Sequence, residues 1–236
     1  MKDLAIIVVA RKGSSRVKNK CHAEVNGWSI SYTKLEQVKL AVKSLNIPTE
    51  NVVISTDDEK VKEAALNHKF QVHDREEYFA VGHQASFSEL IVHVTKAVEG
   101  LTNCKHILWT SSVTPLFNEQ QFINCILHYK EKVIKGKHDS LVSVNLLKEY
   151  FWHKGKPLNY QANKNHTISQ ELEPVAKVTN ACYMAPTELV YEKEYFLGEN
   201  PYLYDTPQIL SIDIDTVEDL EIANSIAKNL NKKDQN

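Results

Sequence analysis

Cysteine is scarce in this chain: four among 236 residues, at Cys21, Cys104, Cys125 and Cys182, with no C-x-x-C pair. That scatter suggests neither a zinc site nor a disulfide framework. Glycine and proline are sparse too, seven of each, and no repeat or low-complexity segment is visible. No apolar run approaches the roughly 18 residues that span a bilayer, so no membrane partner is expected. Met1-Lys2-Asp3 leads straight into a short strand pattern, too short for a signal-peptide core, and a cytoplasmic location is the expectation. An excess of one charge is also missing: 28 Lys and Arg against 30 Asp and Glu give −2. No global field therefore recruits nucleic acid, and any anion site has to be local. Finally, G-x-x-x-x-G-K-[ST] and G-x-G-x-x-G are both absent.

What is present is a soluble globular composition, 42% hydrophobic and 25% charged, long enough for one large α/β domain over 1–236. Leu4 to Ala10 is a continuous apolar run rich in β-branched residues, which predicts a strand buried on both faces. Val52-Val53-Ile54, Phe70-Gln71-Val72, residues 105–109 and residues 140–144 predict further strands. Helical spacing covers 28–42, 59–67, 87–98 and 119–129, with Asn26-Gly27 as a turn and Asp58 near a helix start. This βαβ series predicts a parallel sheet covered on both sides. Residues 150–180 break the rhythm, with Phe151, Trp152, His153 and Tyr160 among polar residues, and suggest a lid or dimer arm. The regular pattern resumes at Ala181–Met184 and again at Ile209–Asp215, read as a closing strand. Thr216 then caps a last helix, about 217–230.

Two stretches carry chemistry. Arg11-Lys12-Gly13-Ser14-Ser15-Arg16-Val17-Lys18-Asn19-Lys20 follows the first strand with five cationic side chains. Such a loop at a strand's carboxyl end offers backbone N–H groups and fixed positive charge to phosphate, although an ordinary solvated basic loop has the same composition. The second stretch is Ser211-Ile212-Asp213-Ile214-Asp215. On a strand, Asp213 and Asp215 would share one face about 6 to 7 Å apart, with Ile212 and Ile214 opposite. Two carboxylates facing together suit a Mg²⁺ ion that also binds phosphates; a surface acidic pair is the alternative. Cradle and metal clamp together are what nucleotidyl transfer requires. Ser14 has no adjacent base, which argues against acyl transfer. His22, His93, His106 and His153 show no ligand spacing; His83 stands out only by its place on the linker before 87–98.

Ile6 to Lys20, Val52 to Asp58, Ala85 to His93, Thr114-Pro115-Leu116 and Ser211 to Leu220 together resemble the acylneuraminate cytidylyltransferases, in the same order along the chain. The opening A-R-x-G-S and the closing S-I-D-I-D-T-x-x-D-L are the most specific parts. The resemblance implies a three-layer, Rossmann-like (GT-A-like) nucleotidyltransferase fold with a mostly parallel sheet. It implies CMP transfer from CTP to a hydroxyl of a nonulosonic acid, with Mg²⁺, release of pyrophosphate, a role in surface-glycan synthesis and a homodimer. By position, Ala10, Arg11, Gly13, Ser14 and Lys20 would meet the triphosphate, with Lys20, Arg11 and Asp215 carrying the chemistry. Arg75, Ala85 and Ser86 match positions around the base and ribose. Asp213 and Asp215 match the metal carboxylates, and Ser111, Gln170 and Lys177 fall at acceptor positions.

The departures shape the expectation. Lys20-Cys21 replaces the family's Lys-Asn, Ser15 replaces a loop lysine, and His83-Gln84 replaces the Asp-Thr before Ala85-Ser86. Ser111 stands for a sugar-contacting Gln, and Ser169 for an Arg that pairs with the sugar's carboxylate, leaving Lys177 as the cation. Lysine supplies a point charge without the guanidinium fork, so an acceptor other than ordinary N-acetylneuraminic acid is expected. Two other readings compete: a nucleotide-binding relative without turnover, and a sugar-phosphate-binding or oligomerisation module.

Overall fold

The computed structural model describes residues 1–14, 16–81 and 84–233; Ser15 and His83, both singled out above, lie outside them. The chain opens with β1 (Leu4–Val9), the short pair β2 (Glu24–Val25) and β3 (Trp28–Ser29), and α1 (Ile30–Ser44). Next come β4 (Val52–Thr56), α2 (Glu59–Asn67), β5 (Gln71–Asp74), the single turn α3 (Glu77–Ala80) and α4 (Phe87–Thr102). The middle holds β6 (His106–Ser111), α5 (Glu119–Tyr129), β7 (Ser140–Leu147), and the small pair β8 (Trp152–His153) and β9 (Lys156–Pro157). The last elements are β10 (Val175–Pro186), α6 (Thr187–Lys193), β11 (Pro201–Asp205) and α7 (Val217–Lys233).

Seven strands form one sheet in the order β11-β7-β10-β6-β1-β4-β5. β1 lies parallel between β6 and β4, with Ile7 opposite both Trp109 and Val53. Because it is central, both of its faces are covered, and Leu4 to Val8 are fully buried. Alternation then divides the core. Leu4, Ile6 and Val8 pack with Leu35 and Val38 of α1 and Phe122 and Ile126 of α5. Ala5 and Ile7 face the other way, onto Ile91, Val94 and Val98 of α4. Asn26 and Gly27, both with positive φ, turn β2 into β3, the conformation a two-residue hairpin asks for.

Three features depart from the sequence reading, while β10, antiparallel to both β6 and β7, makes the sheet mostly parallel, as the family resemblance implies. A strand can be laid antiparallel without a crossover helix, so the βα rhythm carries no signal for it. The irregular excursion gives way to β10 at Val175, earlier than expected, because this long strand extends beyond its apolar stretch into exposed polar residues. α6 and β11 occupy 187–205, where no element was read. Most consequentially, residues 211–215 form no strand: a 3₁₀ turn at Gln208–Leu210 leads into an irregular segment. The alternating pattern there reflects Ile214, the one fully buried apolar side chain of the segment.

Candidate active site

The carboxyl ends of β1, β4 and β6 open onto a cleft. The strand ends are tied by Ala10 N–H to Ser55 O (3.2 Å) and Ser112 N–H to Val9 O (3.2 Å). The basic loop then turns across the top. Its start is held by Lys12 N–H donating to Asp57 Oδ1 at 2.8 Å. Its end is a 3₁₀ turn, Lys20–His22, entered through Asn19 in the left-handed region (φ 52). Two side chains pin that turn: Cys21 is buried, and His22 Nε2 lies 2.9 Å from Asp58 Oδ2. The other oxygen of Asp58 caps α2, accepting from Lys60 and Val61 N–H. Cys21, which departs from the family's Asn, thus turns to Asp58, with Sγ 3.8 Å from Oδ2. A Cβ on Gly13 would meet nothing within 4 Å, so packing within the chain does not itself demand glycine there.

Across the cleft stands the aspartate segment. Lys20 Nζ donates to Asp215 Oδ1 at 3.0 Å, and Arg16 to the same oxygen at 2.8 Å. Asp215 and Thr216 begin α7 with a reciprocal cap: Asp219 accepts from both N–H groups, while Thr216 Oγ1 accepts from Asp219 N–H. Asp213 is more enclosed. Its Oδ2 accepts from Asn180 Nδ2 at 2.6 Å, while its Oδ1 is buried with no hydrogen-bond partner among the described residues. Burial, followed by the nearby Asp215 charge, raises its pKa; Asn180 and Lys20 pull the other way. Ile212 lines the same hollow as the two aspartates, where a strand would have turned it opposite.

Three adjoining hollows make the cleft. The first is lined by Ala10, Arg11, Arg75, Tyr78, Phe79, Ala85, Ser86 and Ser111. Arg75 is buried there, donating to Ser55 O (2.9 Å) and Ser55 Oγ (3.2 Å), and burial pushes its guanidinium down to about 10. Ser86 begins α4 with a capping box to Glu89. The second hollow shares Val9 and Ser111 with the first and reaches Arg16, Asn180, Asp213 and Asp215. The third shares the aspartates and adds Asn145, Lys177, Gln208 and Ser211.

Most of the residues named from sequence therefore meet. Ala10, Arg11, Arg75, Ala85, Ser86 and Ser111 line the first hollow, and Lys20 bridges to Asp215. Lys177 joins Asp213 and Asp215 in the third. Gly13 and Ser14 belong to the loop above and line none of these hollows. Gln170 is not brought in. It is exposed on the excursion, where its carbonyl accepts from Lys148 Nζ at 2.9 Å. Sequence reasoning missed Asn180, which reaches Asp213 from an irregularity between Val178 and Tyr183 in the β10–β7 pairing. Bulges of this kind redirect side chains, but Asn180 lies just before the Ala181–Met184 stretch read as regular, and a bulge leaves no local signal there.

A mostly parallel sheet, covered by helices and carrying a basic loop opposite two carboxylates at its carboxyl edge, is an α/β nucleotidyltransferase. The chain belongs to the cytidylyltransferase family, which it matches over residues 5–225. It is 24% identical, over 97% of its own length and 97% of theirs, to the pseudaminic acid cytidylyltransferases of two Campylobacter jejuni strains. Its fold is shared with 4-diphosphocytidyl-2C-methyl-D-erythritol synthase of Anaerococcus prevotii (TM-score 0.66, 14% identity, 96% of this chain and 99% of that one). It is shared as well with CMP:2-keto-3-deoxy-manno-octonic acid synthetase complexed with CTP (TM-score 0.61, 14% identity, 96% and 98%). The protein is thus a CTP-dependent enzyme.

Cytidylyltransferases of this kind generally use a divalent metal, and the donor set here fits one. Asp213 offers a buried oxygen without a partner beside a second carboxylate on Asp215. Hard dications take such oxygens together with phosphate. No helix among the described residues is long and apolar enough to cross a membrane.

Proposed function

We propose that the protein transfers CMP from CTP to a hydroxyl of a 2-keto sugar acid of the nonulosonic class and releases pyrophosphate. The observation that carries this reading is the Lys20–Asp215 contact, which brings the phosphate loop and the acidic segment to one cleft. The cytidine half is assigned to the hollow of Arg75, Ala85 and Ser86, where the adjacent Tyr78 and Phe79 supply apolar surface. Arg11, Gly13, Ser14, Arg16 and Lys20 face the triphosphate and neutralise charge that develops on it during in-line attack at the α-phosphorus. Asp213 and Asp215 would hold the metal, taken as Mg²⁺, and it would supply charge neutralisation and Lewis acidity beside the phosphates.

The acceptor is assigned to the hollow of Asn145, Lys177, Asn180 and Ser211, beside the aspartates. Lys177 is its cation for the sugar carboxylate. With Ser169 in place of an arginine, the chain lacks the guanidinium fork that the acylneuraminate resemblance gives to the sugar carboxylate. The relatives named for pseudaminic acid favour another nonulosonate, of the kind built into surface glycans. We read the whole chain as one cytoplasmic catalytic unit and the excursion before β10 as a dimer arm. Tyr150, Trp152, Leu158 and Ile168 are exposed on it, and that apolar surface suits a second copy.

Pyrophosphate release with each of the four nucleoside triphosphates, against a panel of eight- and nine-carbon keto-acid sugars, tests the reading. CTP with a nonulosonate other than N-acetylneuraminic acid is expected to turn over. Absence of turnover with every sugar acid, while CTP still binds, would favour the nucleotide-binding relative instead.

A further inference from the structure

Lys34 is fully buried on α1, where a charged side chain is least expected. Its Nζ donates to Thr114 O at 2.8 Å and Phe117 O at 3.2 Å. It also lies 4.9 Å from the Phe122 ring centroid and 5.7 Å from that of Phe117. Burial in this apolar setting pushes the ammonium down to about 7. A methionine or leucine would pack there without that desolvation cost. What the amine adds is a pair of hydrogen bonds to one loop.

That loop follows β6 and belongs to no strand. Gln37, on the same helix, grips it again, with Nε2 donating to Pro115 O at 2.6 Å. Just before these anchors, Val113 O accepts the Ile214 N–H at 2.9 Å. Ile214 is the buried residue between Asp213 and Asp215, in a segment that has no ladder to hold it. The aspartates therefore take their place from a loop, and the loop takes its place from α1.

We propose that Lys34 is a positioning residue for the aspartate pair: its amine fixes the 113–117 loop, and the Val113 carbonyl passes that position to Ile214 and its two acidic neighbours. The effect on catalysis rests on the CMP-transfer reading; the structural linkage does not. Lys34→Met removes the amine while keeping length and apolar packing, and Lys34→Arg keeps a donor. Hydrogen exchange at the Ile214 amide reads the linkage directly. In Lys34→Met its protection should fall about tenfold or more, while Val8 and Ile54 amides in β1 and β4 stay unchanged. In the pyrophosphate assay, the Mg²⁺ needed for half-maximal rate should rise about tenfold with the KM for CTP within about twofold. Lys34→Arg should recover part of both losses.

Unchanged Ile214 exchange in a folded Lys34→Met protein overturns the proposal. So does lost protection with an unaltered Mg²⁺ requirement. Should Lys34→Met fail to fold, Gln37→Leu loosens the same loop at Pro115 and is judged by the same two readouts. If the wild type transfers nothing, the CMP-transfer reading falls, and Ile214 exchange still decides the linkage.

Discussion

Lys20 Nζ lies 3.0 Å from Asp215 Oδ1, although 195 positions of sequence separate them. The carboxylate also holds Arg16, so one acidic oxygen gathers two cations of the phosphate loop. On the proposed reading, bound triphosphate would draw those cations away and leave the carboxylate to hold a metal.

The first expectation follows from that exchange. Asp215→Asn should lower kcat by about 10²–10³, the usual loss for one electrostatic stabiliser. The fold should survive, because partly exposed ion pairs contribute only ~0–1 kcal/mol. Lys20→Met should likewise cut kcat with little change in thermal midpoint. Steady-state kinetics beside circular dichroism checks both, and near-wild-type turnover in Asp215→Asn would remove the metal assignment.

Arg75 should behave differently, because it is buried and already bonded. Arg75→Lys keeps the charge but loses the planar fork that reaches Ser55 through both Nε and a terminal nitrogen. We expect the KM for CTP to rise about tenfold with kcat nearly constant, the pattern of lost ground-state binding. Ser55 O keeps the Ala10 N–H as a partner, so the loss in denaturant unfolding should stay near the ~1 kcal/mol of one hydrogen bond. A kcat effect with unchanged KM would move Arg75 out of the nucleotide pocket.

Asp58 links stability to pH. Burial pulls its carboxyl upward, but the His22 hydrogen bond and the Val61 and Lys60 N–H groups outweigh it and hold the pKa below the ordinary value. A depressed carboxylate stabilises the fold above its unfolded pKa, and that contribution is lost as pH falls through the folded value. Asp58→Ala should therefore cost ~1 kcal/mol or more at neutral pH, as for other lost N-caps. The gap to wild type should close below about pH 4, the ordinary range for an aspartate. A gap that persists undiminished in acid would show that the charge does not matter.

The thiols give a direct test of packing. All four cysteines are buried, and burial with the Asp58 carboxylate pushes Cys21 up to about 12. Thiolate is the reactive form, so native protein should resist an aromatic disulfide reagent and release four equivalents only in denaturant. Rapid native labelling at Cys21 would mean that the turn carrying Lys20 opens readily.

Much of the fold could be read from the chain because its signals are local. Apolar runs marked β1, β4 and β6, and helical spacing found α2 and α5 with the bounds the structure has. Thr216 showed its cap through a hydroxyl and an acid three residues on, while the capping box at Ser86 went unread. Of β10 only the apolar part, Ala181–Met184, showed in the chain, because its polar first half is placed by pairing with β7. β11, a five-residue edge strand opened by Pro201, went unread.

The site divides in the same way. Sequence alone marked the two stretches: a basic, small-residue loop after a buried strand, and two aspartates before a capped helix, each needing only its own neighbours to be recognised. Only the tertiary structure decided how they meet. Ile214 is anchored by the Val113 carbonyl, Asn180 is turned onto Asp213, and Gln170 is left outside on the arm. Backbone hydrogen bonds between distant segments set those positions, and a carbonyl offers its oxygen whatever side chain it carries.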